Sequence, residues 1–175
     1  MGSARVGALP FHPVARTVAL DLNLTALNGE QRPLHEWLTT FHLASMVLDP
    51  YTNESSWILS TAARVLDAFR GADVRVNLVV TCSADEATQF LGPLADRFLV
   101  YTDADRSFVR GLGLQTLPAF VFVQGDGAVV DAAEGWDPTE WRRVAKTIAT
   151  TTAWLPPTIP VAADPSAFHG TPAQG

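Results

Sequence analysis

The sequence predicts an α/β domain in which one sheet carries helices on both faces. Two observations lead to this prediction: β-rich runs alternate with stretches of helical periodicity, and the order closes with a hairpin followed by a long helix. The chain has 175 residues, of which 47% are hydrophobic, and this is enough for one domain with a substantial core.

The strands are predicted from apolar runs that end at turn residues. Within residues 17–27, alternate positions are apolar and share one face: Val18, Leu20, Leu22 and Leu24. The turn dipeptide Asn28 and Gly29 follows, so one opening strand is predicted over 17–27. Buried strands are predicted over 43–48 and 74–81, and shorter strands over 98–101 and 119–123. The Gly-Asp-Gly run at 125–127 predicts a hairpin into a strand over 128–132.

The helices are predicted from apolar spacing and capping signals. Apolar residues at helical spacing predict a continuous helix over 54–69, and shorter helices are predicted over 34–40 and 105–110. Ser83 and Glu86 have the spacing of a capping box, and the helix they begin should break at Gly92 and Pro93. Asp137 and Pro138 predict the start of the last helix. Its inward positions are Trp141, Val144, Ala145, Ile148 and Ala149.

The last part of the chain has a different composition. Residues 155–175 contain Pro156, Pro157, Pro160, Pro165 and Pro172 without periodicity, which predicts an extended tail. Ile159, Val161 and Phe168 are the candidate anchors of this tail. The sequence therefore divides into an N-terminal extension over 1–14, a globular domain over 15–154 and a Pro-rich C-terminal tail over 155–175.

Charge and composition exclude several classes of partner. The formal net charge is −6 and no Lys/Arg cluster is present, so we expect no nucleic-acid partner. No apolar run approaches the roughly 18 residues of a membrane span and no signal-peptide core is visible, so we expect no membrane partner. A single cysteine, Cys82, excludes an intrachain disulfide and favours a cytoplasmic setting. The four histidines are scattered without ligand spacing, so we expect no metal and no cofactor.

Several motifs resemble those of one superfamily. One is the pair Leu117 and Pro118, which precedes a strand and a Gly-Asp-Gly hairpin. The others are the sequence Tyr-Thr-Asp-Ala-Asp at 101–105, the sequence Leu-Gln-Thr-Leu-Pro at 114–118 and the insertion over 82–103. Together they resemble the thioredoxin-like superfamily, in its peroxiredoxin and thiol-disulfide oxidoreductase branch, over residues 15–153. The resemblance implies a thioredoxin-like fold with a central mixed sheet, a cis-proline at Pro118 beside the active-site motif, and a role in redox homeostasis.

The segment 49–57 lies where that superfamily carries its active-site cysteines, and it contains none. In the thioredoxin register, Thr52 and Ser55 replace the two cysteines, with Asn53 and Glu54 between them. In the peroxiredoxin register, Thr52 matches a threonine and Ser55 replaces the peroxidatic cysteine. The buried acid of thioredoxins falls on Met46. A hydroxyl cannot form a disulfide, so the resemblance implies a fold without its usual redox centre.

The first functional hypothesis is a redox-inactive thioredoxin-like protein with this degenerate active site, which binds a protein or small ligand. Its candidate binding residues are Tyr51, Trp57, Leu117 and Pro118, because the resemblance implies that the backbone before Pro118 pairs with extended peptides. The missing cysteines favour a role without enzymatic activity, and no catalytic residue is assigned. The sequence leaves open whether the tail covers this groove.

Two enzymatic alternatives stay open. The first is implied by the resemblance, since glutathione-transferase relatives of this fold hold a bound thiol as thiolate with a Ser or Thr hydroxyl at this position. In it, the chain is a thiol-utilising transferase in which Thr52 or Ser55 activates a low-molecular-weight thiol, and the helix N-terminus there can also bind an anion. The plainer role for Thr52 or Asn53 is a helix cap. In the second, the lone Cys82 is a reactive thiol of an oxidoreductase, since a position just before a helix can depress the pKa of a cysteine. The plainer role for this cysteine is a small buried apolar residue.

Overall fold

An eight-stranded mixed sheet forms the centre of the molecule, in a computed structural model that describes residues 16–39 and 41–175. The strands are β1 (Arg16–Thr17), β2 (Asn23–Ala26), β3 (Gln31–Pro33), β4 (His42–Leu48), β5 (Val74–Val80), β6 (Leu99–Thr102), β7 (Thr116–Leu117), β8 (Ala119–Val123), β9 (Ala128–Glu134) and β10 (Thr171–Pro172). The sheet has the order β1-β9-β8-β4-β5-β6-β2-β3, and β7 pairs separately with β10. The predicted N-terminal extension over 1–14 lies outside the described residues.

The helices lie on both faces of the sheet, as predicted. They are α1 (Leu34–Trp37), α2 (Asn53–Trp57), α3 (Leu59–Asp67), α4 (Ala84–Leu91), α5 (Leu94–Arg97), α6 (Ser107–Leu112) and α7 (Pro138–Thr152). One core cluster packs α3 and α7 on the sheet, and a second cluster packs α1 and α6 on the opposite face. Within 16–39 and 41–175, we find no helix with the length and apolar character needed to cross a membrane.

The sheet register aligns the two segments that carry the candidate site residues. Strands β4, β5 and β6 run parallel, and Leu48 at the end of β4 lies opposite Val80 at the end of β5. Asp49 and Cys82 therefore follow these strands at the same edge of the sheet, where ligands bind in open α/β sheets.

Most predicted elements are present, but the opening strand is wrong. Residues 17–27 do not form one strand, because the chain bends where the Leu22 N–H donates to the Ala19 carbonyl, 3.1 Å away. The part before the bend, β1, pairs with β9 at one edge of the sheet, while β2 pairs with β6 near the other edge. Leu20 lies in the bend and is partly exposed, whereas Val18 and Leu24 are buried.

Three predicted helices also differ from the structure. The helix predicted over 34–40 ends at Trp37. The continuous helix over 54–69 is divided into α2 and α3 at Ile58, which has φ −91° and ψ −5°. Ile58 is fully buried, so the apolar spacing is unchanged by the interruption and does not reveal it. Helix α6 begins at Ser107 rather than 105, because the Asp105 carboxylate accepts the Ser107 N–H in the turn before the helix. It continues to Leu112 and ends at the C-cap Gly113, whereas the predicted helix ended at 110.

Candidate functional site

Both hydroxyls of the Thr-x-x-Ser motif, Thr52 and Ser55, form hydrogen bonds within the turn after β4. The Ser55 Oγ accepts a hydrogen bond from the Asp49 N–H over 2.9 Å, and Ser55 is fully buried. The Thr52 Oγ1 donates to the Asp49 carbonyl, also over 2.9 Å. The Asp49 carboxylate in turn accepts the Tyr51 N–H at 3.0 Å. These contacts hold the start of α2 against the end of β4.

The predicted capping role differs in detail from the structure. Thr52 occupies the N-cap position of α2, but its side chain makes no capping hydrogen bond there. Asn53 is the first residue of α2 and is exposed, and Glu54 follows it in the first turn. Thr52 therefore stabilises the turn before the helix rather than the helix N-terminus.

Two aromatic side chains remain exposed beside this turn. Tyr51 is 61% exposed and Trp57 is 55% exposed. The Tyr51 hydroxyl donates to the Glu86 carboxylate at 2.8 Å, and this hydrogen bond raises the pKa of Tyr51 to about 12 and lowers the pKa of Glu86. Glu86 also completes the capping box with Ser83, as predicted, so Tyr51 is held against the start of α4.

Cys82 is buried, with 1% of its surface exposed. Burial raises the pKa of the Cys82 thiol to about 12, and the nearby carboxylates of Glu86 and Asp49 contribute in the same direction. This direction is opposite to the one that the oxidoreductase alternative requires. At neutral pH the residue is a protonated thiol in the apolar core.

The tail covers the Leu117 and Pro118 side of the candidate site. The Leu117–Pro118 peptide bond is cis, and both residues are buried. Strand β10 of the tail pairs antiparallel with β7, with Thr171 opposite Leu117 and Pro172 opposite Thr116. The backbone edge that precedes Pro118 is thus paired with residues of the same chain.

Solved structures with the same architecture are known, although no protein-family model and no curated protein matches the sequence. DsbF from MTB superposes with a TM-score of 0.60 and 20% identity, over 75% of this chain and 99% of its own. Peroxiredoxin Q from Xanthomonas campestris gives a TM-score of 0.61 and 16% identity, over 79% and 96%. A hypothetical protein from Sinorhizobium meliloti gives 0.64 and 17%, over 94% and 96%. The chain has a thioredoxin-like fold.

Sequence reasoning missed one ion pair that connects the site of this thioredoxin-like fold to the tail. Arg106, in the turn before α6, pairs with Asp49 at 3.1 Å, and both side chains are largely buried. The same guanidinium donates to the Ala173 carbonyl at 2.7 Å. A signal was present in the sequence, since Asp49 follows a buried strand, but nothing in the local pattern identified its partner 57 residues away.

The candidate nucleophiles of the site are hydrogen-bonded or buried. The hydroxyls of Thr52 and Ser55 bond to the Asp49 backbone, and the Cys82 thiol is buried. The exposed surface at this edge includes two aromatic side chains, Tyr51 and Trp57. It adjoins the tail, because the Trp57 ring packs edge-on against Phe168 with ring centroids 5.5 Å apart.

Proposed function

We propose that the chain is a redox-inactive thioredoxin-like protein that serves as a protein-binding module. The observation that carries the proposal is the position of the two motif hydroxyls, because Thr52 and Ser55 both bond to the Asp49 backbone. A hydroxyl cannot replace a thiolate in disulfide exchange. The proposal therefore assigns the motif a structural role in the turn that presents Tyr51.

The geometry gives less support to the two enzymatic alternatives. A transferase that activates a thiol through Ser55 requires an accessible hydroxyl, whereas Ser55 is fully buried and its oxygen accepts a backbone N–H. The Thr52 hydroxyl, the other candidate, already donates to the Asp49 carbonyl. An oxidoreductase that uses Cys82 requires a thiolate, and the raised pKa of Cys82 disfavours that form.

The proposed partner is a protein rather than a low-molecular-weight thiol or anion. Tyr51 and Trp57 are both more than half exposed, and aromatic side chains are enriched at the energetic centres of protein interfaces. The net charge of −6 argues against nucleic acid, whose binding depends on neutralising phosphates. The proposal includes no membrane contact.

An activity assay tests the redox-inactive part of the proposal. We expect the unchanged chain to show neither insulin reduction nor conjugation of an electrophile with added small thiols. The Ser55→Ala and Cys82→Ser variants identify the residue responsible if turnover appears. Turnover that is lost in Ser55→Ala would establish the transferase, and turnover that is lost in Cys82→Ser would establish the oxidoreductase. Either result overturns the proposal.

A capture experiment tests the binding part. Proteins retained by the immobilised chain should be lost with Trp57→Ala and kept with Leu155→Ala. Leu155 is a matched control because it is a large apolar residue with 83% exposure in the tail. Equal retention by both variants would contradict a binding face at Trp57.

The compartment is a further part of the proposal. The single cysteine supports a cytoplasmic setting, because secreted domains commonly use disulfides. One protein of the same fold, a disulfide oxidoreductase from Mycobacterium tuberculosis, is described as secreted, so the fold itself does not decide the compartment. Fractionation of cells that express the tagged chain tests this point, and recovery outside the cytoplasm would overturn it.

A further inference from the structure

In the tail, Phe168 pairs with Trp136, and Thr171 and Pro172 pair with β7. Residues 168–173 therefore fill a groove between the loop at 135–136 and β7. We propose that this groove binds a partner protein through an extended segment with an aromatic residue, a glycine two positions later, and a small apolar residue three positions after the glycine. Residues 168–173 are then an internal ligand of the same pattern, which the partner displaces. The inference rests on the proposed function as a binding module and adds the recognition pattern and its regulation.

The glycine of the pattern follows from the closest backbone approach in the groove. A Cβ atom added to Gly170 would lie 2.7 Å from the Leu117 carbonyl oxygen and 2.9 Å from the Thr116 Cβ. The facing loop is equally close, because a Cβ added to Gly135 would lie 2.9 Å from the Gly170 nitrogen. The two nearest atoms are a backbone oxygen and a Cβ, which cannot move aside as the end of a flexible side chain would. A segment bound in this register therefore needs glycine at this position.

The small residue of the pattern follows from the surroundings of Ala173. Its side chain lies in the second core cluster, and only 1% of the residue is exposed. Its N–H donates to the Gln115 carbonyl at 2.8 Å, and its carbonyl accepts from Arg106 at 2.7 Å. The backbone is thus held on both sides while the side chain fills a closed apolar space, so a large side chain is excluded.

The aromatic residue of the pattern is Phe168. Its N–H and carbonyl bond to the backbone of Trp136, at 3.0 and 2.9 Å. Its ring packs edge-on against Trp57, which remains more than half exposed. Phe168 therefore connects the groove to the exposed aromatic face that the proposed function assigns to partner binding.

The internal ligand is held more weakly than the part of the tail that precedes it. Ile159 is buried in the first core cluster, and the Asp164 carboxylate accepts hydrogen bonds from Thr61, Arg64 and the Val161 N–H. By contrast, β10 has only two residues, Pro172 is exposed, and Ala173 is the one buried residue of 168–173. Segments with few buried contacts open with low free energy, so residues 168–173 can leave while the part around Asp164 stays bound.

The test titrates a fluorescent peptide of residues 165–175 into the full chain and follows anisotropy. Gly170→Val should release the internal ligand, since the added carbons overlap Leu117. We expect this variant to bind the probe about 100-fold more tightly than the unchanged chain, because tethering gives the internal ligand a millimolar effective concentration. Ser166→Val, an exposed position in the same tail, is the matched control and should bind as weakly as the unchanged chain.

Hydrogen exchange at the Ala173 amide reports whether the internal ligand has been released. If the Ala173 amide of Gly170→Val exchanges rapidly but the probe does not bind, the proposal is overturned, because the released groove has no affinity for the pattern. Continued protection of that amide would also overturn it, because glycine would then not be required at position 170. If Gly170→Val does not fold, Ala173→Leu provides the release independently. A probe with valine in place of its glycine should bind no variant, and binding by that probe would overturn the recognition pattern.

A second substitution distinguishes this proposal from the proposed function. In the Gly170→Val background, Trp57→Ala should weaken probe binding about tenfold, while Leu155→Ala should leave it unchanged. Equal effects would overturn the role of the aromatic position. Thiol-dependent turnover by the unchanged chain would overturn the redox-inactive function without altering probe binding. A failure of the proposed function can therefore be distinguished from a failure of the groove proposal.

Discussion

Asp49 has a central position that its sequence context did not reveal. Its backbone bonds to both motif hydroxyls, and its carboxylate bonds to Tyr51 and Arg106. The resemblance placed the family's buried acid at Met46, whereas the structure has a buried acid three residues later. Asp49 therefore organises the turn through hydrogen bonds.

At the scale of single residues, Arg106→Gln should destabilise the fold by about 3–5 kcal/mol. The substitution leaves the Asp49 carboxylate, 3% exposed, without its ion-pair partner. Arg97→Gln is the matched control, because the Arg97 side chain is 50% exposed and its pair with Asp67 should contribute at most about 1 kcal/mol. Urea unfolding measures both variants. Equal losses would contradict a specific contribution from the buried pair.

Cys82 allows a pH-dependent prediction at the same scale. Because burial raises its pKa from 9.0 to about 12, the thiolate fraction at pH 8 should be roughly 1000-fold lower than that of an unshifted thiol. Labelling of the native chain by a thiol reagent should therefore be slow and should keep rising with pH above 9. The denatured chain is the control and should label rapidly, with a plateau from about pH 10, one unit above the unshifted pKa of 9.0. A native plateau near or below pH 9 would reveal an activated thiol.

At the scale of elements, the strands and helices that were predicted correctly are those that interactions within a single segment determine. The strands β4, β5 and β8 and the helix α7 were predicted because apolar periodicity and capping chemistry act within each segment. The prediction of one opening strand was wrong because the chain bends after β1, where β1 pairs with the distant strand β9. No pattern within residues 17–27 indicates this pairing. The motif segment was located by the resemblance, while its contacts with Arg106 and the tail depend on residues distant in sequence.

The capping box at the start of α4 gives an element-scale prediction. Ser83→Ala should destabilise the fold by about 1 kcal/mol, because the Ser83 Oγ accepts the Glu86 N–H at that helix start. Ser60→Ala is the matched control, since Ser60 is exposed within α3 rather than at a cap. Thermal unfolding should give a lower Tm for Ser83→Ala only. A similar Tm for the two variants would contradict the capping contribution.

At the scale of the whole molecule, the tail acts as part of the domain. The tail contacts α7 where Arg142 donates to the Ile159 carbonyl, and it contacts α3 where Asp164 pairs with Arg64. Its last strand, β10, pairs with β7. The sequence predicted an extended segment with anchors, and Ile159 is indeed buried. The path could not be predicted, because proline-rich composition specifies extension but not the surface that the segment covers.

The last prediction concerns the attachment of the tail. Asp164→Ala should cost about 3 kcal/mol, because it removes the partner of Arg64 and leaves the Thr61 hydroxyl and the Val161 N–H without their acceptor. Asp73→Ala, at an exposed position, is the control and should cost less than about 0.5 kcal/mol. If the tail detaches before the domain unfolds, the urea m-value should also fall, since less surface remains to be exposed in the transition. An unchanged m-value with a large loss of stability would instead mean that tail and domain unfold as one unit.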